Sequence, residues 1–423
     1  MSTAQLYQQS EVVRKKLDKW ISMPWNVAAD LIDKGEVTEV GERDFRIPAQ
    51  VTNGGRVGTY NPQGGDMGRG TASSGVVMIS SYFPLRLNFE IDHLSIKATR
   101  NKTIAIKNPF KAMIADAVPE FMVYRDKFLH CDGTAVLATA VATATVSSKT
   151  QYTMDANFGV MRLRRGQFLN IYDTTLATLK SSSTLYIQQW DPGARTILLS
   201  GLVTSPVATD KMCFEGTSGA SPAGIQGIPY FNNSATSGTT LGINRANENE
   251  IIANSVNAAG GLTHEHGMAL YHRNLKRFGK QADNMVGLCP TSQQAAIWMN
   301  VMSIQRIDLG STQAEAVDRL PKLKGKKSFM WCGMPHMVDI HQDETRIDYI
   351  IPELWGWARL GEMDFFETPG KSGADARFFQ LSGGSGGPAA AVWFGLTCEE
   401  QPYNVRPGAG GFIYGLTAPP LYQ

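Results

Sequence analysis

The chain has 423 residues, with 40 Lys+Arg against 38 Asp+Glu for a formal net charge of +2, and 43% of it is hydrophobic. That balance excludes a strongly polyanion-binding protein as the default reading, and the apolar fraction excludes disorder of the whole chain. Only 18% is charged, against about 25% in typical soluble proteins, so a fold long enough for about two or three domains has few charges to cover its surface, which points to assembly.

The five cysteines, Cys131, Cys213, Cys289, Cys332 and Cys398, are scattered, odd in number and form no C-x-x-C pair. Neither a disulfide framework nor a structural zinc site is predicted from them. Met1 to Trp20 lacks the apolar core of a secretory signal, and no run reaches the ~18 apolar residues of a membrane span. The expectation is a soluble protein made in a reducing cytoplasm, with no membrane partner.

Leu6, Val13, Leu17, Trp20 and Ile21 recur at helical spacing, with charges on the other faces and Pro24 as the stop. A helix this short needs its own core or a neighbour to pack on. From Asp44 the period becomes two, with Phe45, Ile47, Ala49 and Val51 on one side until Asn53-Gly54-Gly55 breaks it. A return strand places Val77, Ile79, Phe83, Leu85, Leu87 and Phe89 at odd positions, after a stretch holding Gly58, Gly64, Gly65, Gly68, Gly70 and Gly75. Glycines supply no core, so the pattern predicts a long hairpin projecting from the body with a flexible tip. A lone hairpin is marginal in water and gains stability by lying on another subunit.

Glu90 to Leu129 reads as mainly helical, with Phe110, Ile114, Phe121 and Phe128 on one face and Asp132-Gly133 as the stop. Pro119 inside it predicts a kink or two consecutive helices. The tract Thr134 to Val146 is too short and too hydroxylated for a membrane span. Gly159 to Gly216 reads as all-β, in the pieces Gln167 to Tyr172, Thr184 to Trp190 and Thr196 to Leu199, with a turn at Asp191-Pro192-Gly193. Gly216 to Gly242 reads as a long surface connection, and Glu248 to Met302 as helix with a fresh start at Pro290-Thr291-Ser292. A basic loop, Leu320 to Lys327, then precedes mixed strand and loop from Ile340 to Phe366, with Trp355 and Trp357. The tail carries breakers at Ser382 to Pro388 and Pro407 to Gly411.

Candidate chemistry is sparse. His264, His266 and His272 cluster, but histidines two apart diverge by roughly 200° on a helix, and no further ligands stand nearby, so solvated or capping roles are favoured over a metal site. Pro369-Gly370-Lys371-Ser372 ends like a phosphate-binding loop but has Phe365 where the motif needs glycine. Ser382-Gly-Gly-Ser-Gly-Gly reads as a flexible connection. In His336 to Glu344, strand alternation would put Asp339, His341 and Asp343 on one face as an ion site; a solvated edge strand or turn is the favoured alternative. Arg319, Lys322, Lys324, Lys326 and Lys327 could touch nucleic-acid phosphates, or form a solvated loop. No nucleophile or metalloprotease motif is present, so no catalytic, cofactor-binding or metal residue is assigned.

The order of these segments resembles a tailed-bacteriophage major capsid protein of the Hong Kong 97-like fold, an α+β fold shared with encapsulins. The stretches most like the family are Asp44 to Leu87, similar to its extended hairpin loop, Asn108 to Gly133, similar to its spine helix, and Ala194 to Gly227, with Thr209-Asp210 before Phe214-Glu215-Gly216. The resemblance implies an N-terminal helix and arm (1–41), the extended hairpin loop (42–88), a peripheral domain with the spine helix (89–133), a β-rich insertion (134–222), an axial domain (223–335) and a return to the peripheral domain (336–423). It implies hexamers and pentamers in an icosahedral shell around packaged double-stranded DNA, held by non-specific contacts. Inter-subunit contacts would come from Leu6, Val13, Leu17 and Trp20 in the arm, and from Phe45, Arg46, Gly54, Gly55, Arg56, Tyr60 and Arg69 in the loop. Arg319, Lys322, Lys324, Lys326 and Lys327 would face the genome. A virion location, assembly in the host cytoplasm, and portal and decoration proteins as partners follow from the same resemblance.

Two departures matter. Some members crosslink a loop lysine to a neighbour's asparagine, but no lysine stands between Glu42 and Ser95, so shells free of such crosslinks are expected. About forty residues precede the hairpin, too few for a fused scaffolding region, and a separate scaffolding protein is expected. Left open are an encapsulin-like compartment or other virion structural protein, a metal-dependent hydrolase using His264, His266 and Asp339, and a genome-binding protein using the Arg319 to Lys327 run.

Overall fold

The computed structural model describes residues 27–33, 36–39, 44–52, 54–55, 69–92, 109–155, 160–181, 185–215, 223–304, 328–360, 364–366, 379–382 and 388–417. The expected arm helix with Leu6, Val13, Leu17 and Trp20, the hairpin tip with Arg56 and Tyr60, residues 369–372, and the basic run Arg319 to Lys327 lie outside the described residues. Helices there are α1 (Val27–Asp33), α2 (Pro109–Leu129), α3 (Ile228–Phe231), α4 (His264–Phe278) and α5 (Thr291–Ile304). The strands form three large sheets and two small ones.

The hairpin is present. Asp44–Thr52 pairs antiparallel with Ser74–Ser81, and Gly55 N donates to Thr71 O at 2.7 Å beyond the last strand residue. Gly54 sits at φ +68°, and a Cβ there would meet the Ser73 amide, so glycine is needed at that pinch. The root lies on the body instead of projecting from it: Phe45 is buried against Tyr82 and Tyr403, Met78 is buried, and Ile79 N donates to Leu241 O. The single return strand expected from Val77 to Phe89 is two. Ser74–Ser81 turns its even positions inward, while Phe83–Asp92 turns its odd positions inward and pairs with Pro388–Asn404. The interruption at Tyr82 reverses the phase, as a one-residue slip must. Val77 and Ile79 therefore face outward, 50% and 46% exposed.

The strand Pro388–Asn404, which lies between the two sets of breakers read in the tail, is the backbone of a six-stranded sheet. Proline stands at its first residue, where a missing donor costs least. Phe83–Asp92, Trp355–Arg359, Phe379–Ser382 and Asp364–Phe365 all pair with it, and Glu36–Glu39 runs parallel to Trp355–Arg359. Trp355 and Trp357, which the sequence placed in mixed strand and loop, are fully buried beneath α1.

The helix α2 is one continuous element with Pro119 inside it, so of the two forms expected there the pair of consecutive helices is not found, and the residues from Glu90 to Asp92 belong to the preceding strand. Pro119 is exposed. Phe121 and Phe128 lie on the buried face, and Phe128 stacks on Phe214.

Seven strands between Val136 and Phe214 form a sheet of their own, in the order 179–181, 169–172, 211–214, 136–146, 149–154, 196–199, 187–191. The three predicted β pieces are all there. The Ala/Thr/Val tract supplies the long strand Val136–Val146. Asp191 Oδ1 accepts from the amides of Gly193 and Ala194 at 2.9 and 3.1 Å, which fixes the predicted turn.

The stretch expected as a surface connection, Gly216 to Gly242, is instead partly core. Ile225, Ile228 and Phe231 are buried, and the residues from Gly224 to Gly227 return to the end of α2, with Gly227 N donating to Cys131 O and Gly224 N to Gly133 O. Small side chains allow this close approach. A Cβ at Gly227 would press on the Leu129 and Cys131 carbonyl oxygens, backbone atoms that cannot step aside. Gly227→Ala is expected to cost about 3 kcal/mol, the upper part of the overpacking range, measured as a lower urea midpoint at unchanged slope.

A second six-stranded sheet has the order 254–260, 411–416, 347–350, 286–289, 334–338, 328–331, with α4 packed against it. The helices in the Glu248 to Met302 stretch are present, and α5 starts at Thr291 as read; Asn254–Gly260 and Val286–Cys289 are strands. Val286–Cys289 is buried on both faces, so it shows no alternation that would separate it from helix. On the neighbouring strand His336 is fully buried among Phe329, Trp331 and Tyr349. Burial pushes its imidazole down to about 4, against the opposing hydrogen bond to Met334 O. The unfolded chain, with an ordinary histidine near 6.5, therefore takes up a proton that the folded chain refuses. Stability from this group is complete above about pH 6.5 and is lost towards pH 4, at up to about 1.4 kcal/mol per pH unit. The slope of unfolding free energy against pH across that window is expected to fall by one proton in His336→Gln.

Candidate functional site

The last turn of α2 and the turn after Met334–Val338 meet in the interior. Asp126 and His130 stand four residues apart, so the helix presents both on one side. Asp339 and His341 come from the facing turn. All four are buried, and their side chains are arranged as two pairs: His130 Nε2 lies 3.0 Å from Asp339 Oδ2, and His341 Nδ1 lies 2.6 Å from Asp126 Oδ2. The second oxygen of each carboxylate is held by a backbone amide, Asp126 Oδ1 by Ala29 N of α1 and Asp339 Oδ1 by His341 N, both at 2.9 Å. Arg162 Nε donates to His341 O at 2.7 Å, so the 136–214 sheet region is tied in as well.

The electrostatics follow from burial and pairing. Burial, with the neighbouring Asp339 charge, pushes the Asp126 carboxyl well above the carboxylate range. Burial also opposes ionisation of Asp339, but His130 and His341 beside it hold it down to about 2. Burial pushes His341 down to about 3, despite the attraction of Asp339. Burial disfavours the His130 imidazolium too, yet the charge and hydrogen bond of Asp339 carry it above the usual histidine value. Beside them Lys127 is fully buried over the Tyr124 ring, and burial brings its ammonium down to about 7. The cluster can hold protons or a cation, but it offers no nucleophile poised beside a base.

A cavity of about 430 Å³ opens next to His130, with Arg162, Lys211, Gln342, Arg346 and Asp348 in its wall. Asp348 is buried and accepts from Arg346, Gln342 and Asn232.

The expected strand face of Asp339, His341 and Asp343 is thus corrected twice. Asp339 and His341 are in the interior and not on a solvated edge or turn, because α2 covers them. Asp343 is apart from them and closes its own turn by accepting from Thr345 N and Oγ1. Asp126, His130 and Arg162 were not singled out from the sequence, although an Asp and a His four apart near the end of a helix were a readable sign. His264, His266 and Asp339 have separate partners: His264 lies against Cys332, His266 caps α4 through Thr263, and Asp339 meets His130. His272 is exposed beside Tyr271. All five cysteines are buried free thiols, and no helix among the described residues is long and apolar enough to cross a membrane.

Of the loop residues expected at contacts, Arg46, Gly55 and Arg69 are exposed and Gly54 is half-buried. Phe45 is committed to its own chain by Tyr82, Tyr403 and Ala358.

No protein-family model matches the sequence, and no curated protein does. Solved structures do. A chain of the cyanophage A-1(L) capsid asymmetric unit matches at a TM-score of 0.52 and 13% identity, over 98% of this chain and 99% of that one. A capsid chain of a native GTA particle matches at 0.46 and 8% identity, over 96% of each. The capsid of Myoviridae phage XM1 matches at 0.45 and 8%, over 98% and 99%. The likeness to the cyanophage capsid chain is one of fold, and the mixed α and β architecture of this chain is similar to that chain's over nearly its whole length.

Proposed function

We propose that this chain is a major capsid protein of the Hong Kong 97-like type, a structural protein without catalytic activity that assembles as hexamers and pentamers into an icosahedral shell. The observation that supports it best is the extent of the fold likeness, 98% of this chain against 99% of the cyanophage capsid chain.

The chemistry of the surface agrees with that reading. The chain has few charges, and the outer face of its hairpin carries Val77 and Ile79 in the open. We assign this face, with Arg46, Gly54, Gly55 and Arg69, to contacts with a neighbouring subunit, and leave Phe45 out of it. Repeated copies of a modest contact, each burying such a face, close a symmetric shell. The Arg319 to Lys327 run would face packaged double-stranded DNA through non-specific phosphate contacts. A separate scaffolding protein, a portal and decoration proteins complete the proposed partners, in a virion assembled in the host cytoplasm.

Negative-stain microscopy of the expressed chain, alone and with the products of the neighbouring genes, tests this reading. Closed shells or rings of five and six are expected. A monomer under every combination and ionic condition would overturn it.

A further inference from the structure

We propose that Asp126, His130, Asp339 and His341 form a closed binding site for one divalent transition-metal cation, zinc by its donor set, which clamps the end of α2 to the 339–341 turn. The donor atoms of Asp126, His130 and Asp339 all lie within 4.8 Å of one another. His341 Nδ1 lies 2.6 Å from Asp126 Oδ2 and 3.9 Å from Asp339 Oδ1, the oxygen that the His341 amide already holds. Zinc at about 2.0–2.1 Å from nitrogen and oxygen ligands makes a tetrahedron with edges of about 3.3–3.4 Å. Separations up to 4.8 Å within Asp126, His130 and Asp339 lie within small side-chain shifts of that edge, so an ion can be centred among these three donors, and His341, already paired with Asp126, would turn in as the fourth.

Three further features belong to a metal site more than to a plain hydrogen-bonded core. Each carboxylate has one oxygen fixed by a backbone amide, from Ala29 and from His341 itself, and the other turned inward. That is the outer support that orients ligands. As ligands the four groups are two carboxylates and two neutral imidazoles with a total charge of −2, so an entering divalent cation displaces the protons shared within the two Asp–His pairs and leaves the buried set neutral. The charged groups around the set are Arg162, bonded to the His341 carbonyl, Lys127 and Asp30. Finally, the cavity that reaches His130 supplies an entry path. Two imidazoles select zinc and its transition-metal neighbours over magnesium or calcium. With all four positions filled by protein, the ion would be structural, and the site does not depend on whether the chain builds shells.

The test uses the full chain, stripped with a chelator and titrated with CoCl2. One Co2+ per chain is expected, with the visible absorption of a tetrahedral complex, displaced by ZnCl2, and with a raised melting temperature. Asp339→Asn, which removes a ligand, is expected to weaken binding by more than about a hundredfold, the upper cost of losing only an outer partner of a ligand, while His264→Ala and His272→Ala leave it unchanged. Histidine side-chain NMR of the native chain decides the matter even if Asp339→Asn fails to fold: zinc should shift His130 and His341. No stoichiometric binding, binding unaffected in Asp339→Asn, or shifts confined to His264, His266 and His272 would overturn the proposal.

Discussion

Glu400→Gln is expected to lower the free energy of unfolding by about 3–5 kcal/mol, the cost of removing one partner from a buried ion pair. Glu400 is 1% exposed and lies between two guanidiniums. Arg125 of α2 reaches it from the helix, and Arg359 stands opposite it across the Trp355–Arg359 and Pro388–Asn404 pairing, its Nε 3.2 Å away. Arg125 is itself buried and lies 4.2 Å over the Trp357 ring. Glutamine keeps the shape and removes the charge that compensates Arg125. The urea midpoint should fall at an unchanged slope. A loss under about 1 kcal/mol, the worth of an exposed pair, would mean that water reaches this junction between α2 and the sheet.

The paired substitution Val77→Asp with Ile79→Asp is expected to leave the chain folded and to abolish shells. Both side chains stand on the outer face of the hairpin, with no role in the core beneath. Exposed substitutions of this kind usually change stability by no more than about 0.5 kcal/mol. Across a subunit contact the same carboxylates would be buried unpaired, at a cost of several kcal/mol in every copy. Circular dichroism should show an unchanged fold and melting temperature, and sedimentation should show small species only. Shells at normal yield would place the contact elsewhere.

Where periodicity was clean, the sequence could be read directly. The alternation at Phe45, Ile47 and Ala49, the apolar face with Phe121 and Phe128, and the turn at Asp191 each express a local rule, and each is found in the fold. The order of such segments carried the capsid-like architecture. What local rules could not give was the partner of each segment. The phase reversal at Tyr82 depends on two different sheets claiming one stretch of chain. Gly224 and Gly227 look like a flexible connection until the end of α2 is placed against them. The buried cluster was half visible: Asp339 and His341 drew notice as an alternating pair, but their partners Asp126 and His130 come from a helix more than two hundred residues earlier. Only the tertiary fold brings them together, and it turns what looked like a solvated turn into a buried polar site.

If a second copy of the chain completes the outer face of the hairpin, a cryo-electron-microscopy reconstruction of assembled particles will show Val77 and Ile79 covered by the adjacent subunit in every quasi-equivalent position. Particles in which that face is open to solvent all round the shell would contradict it.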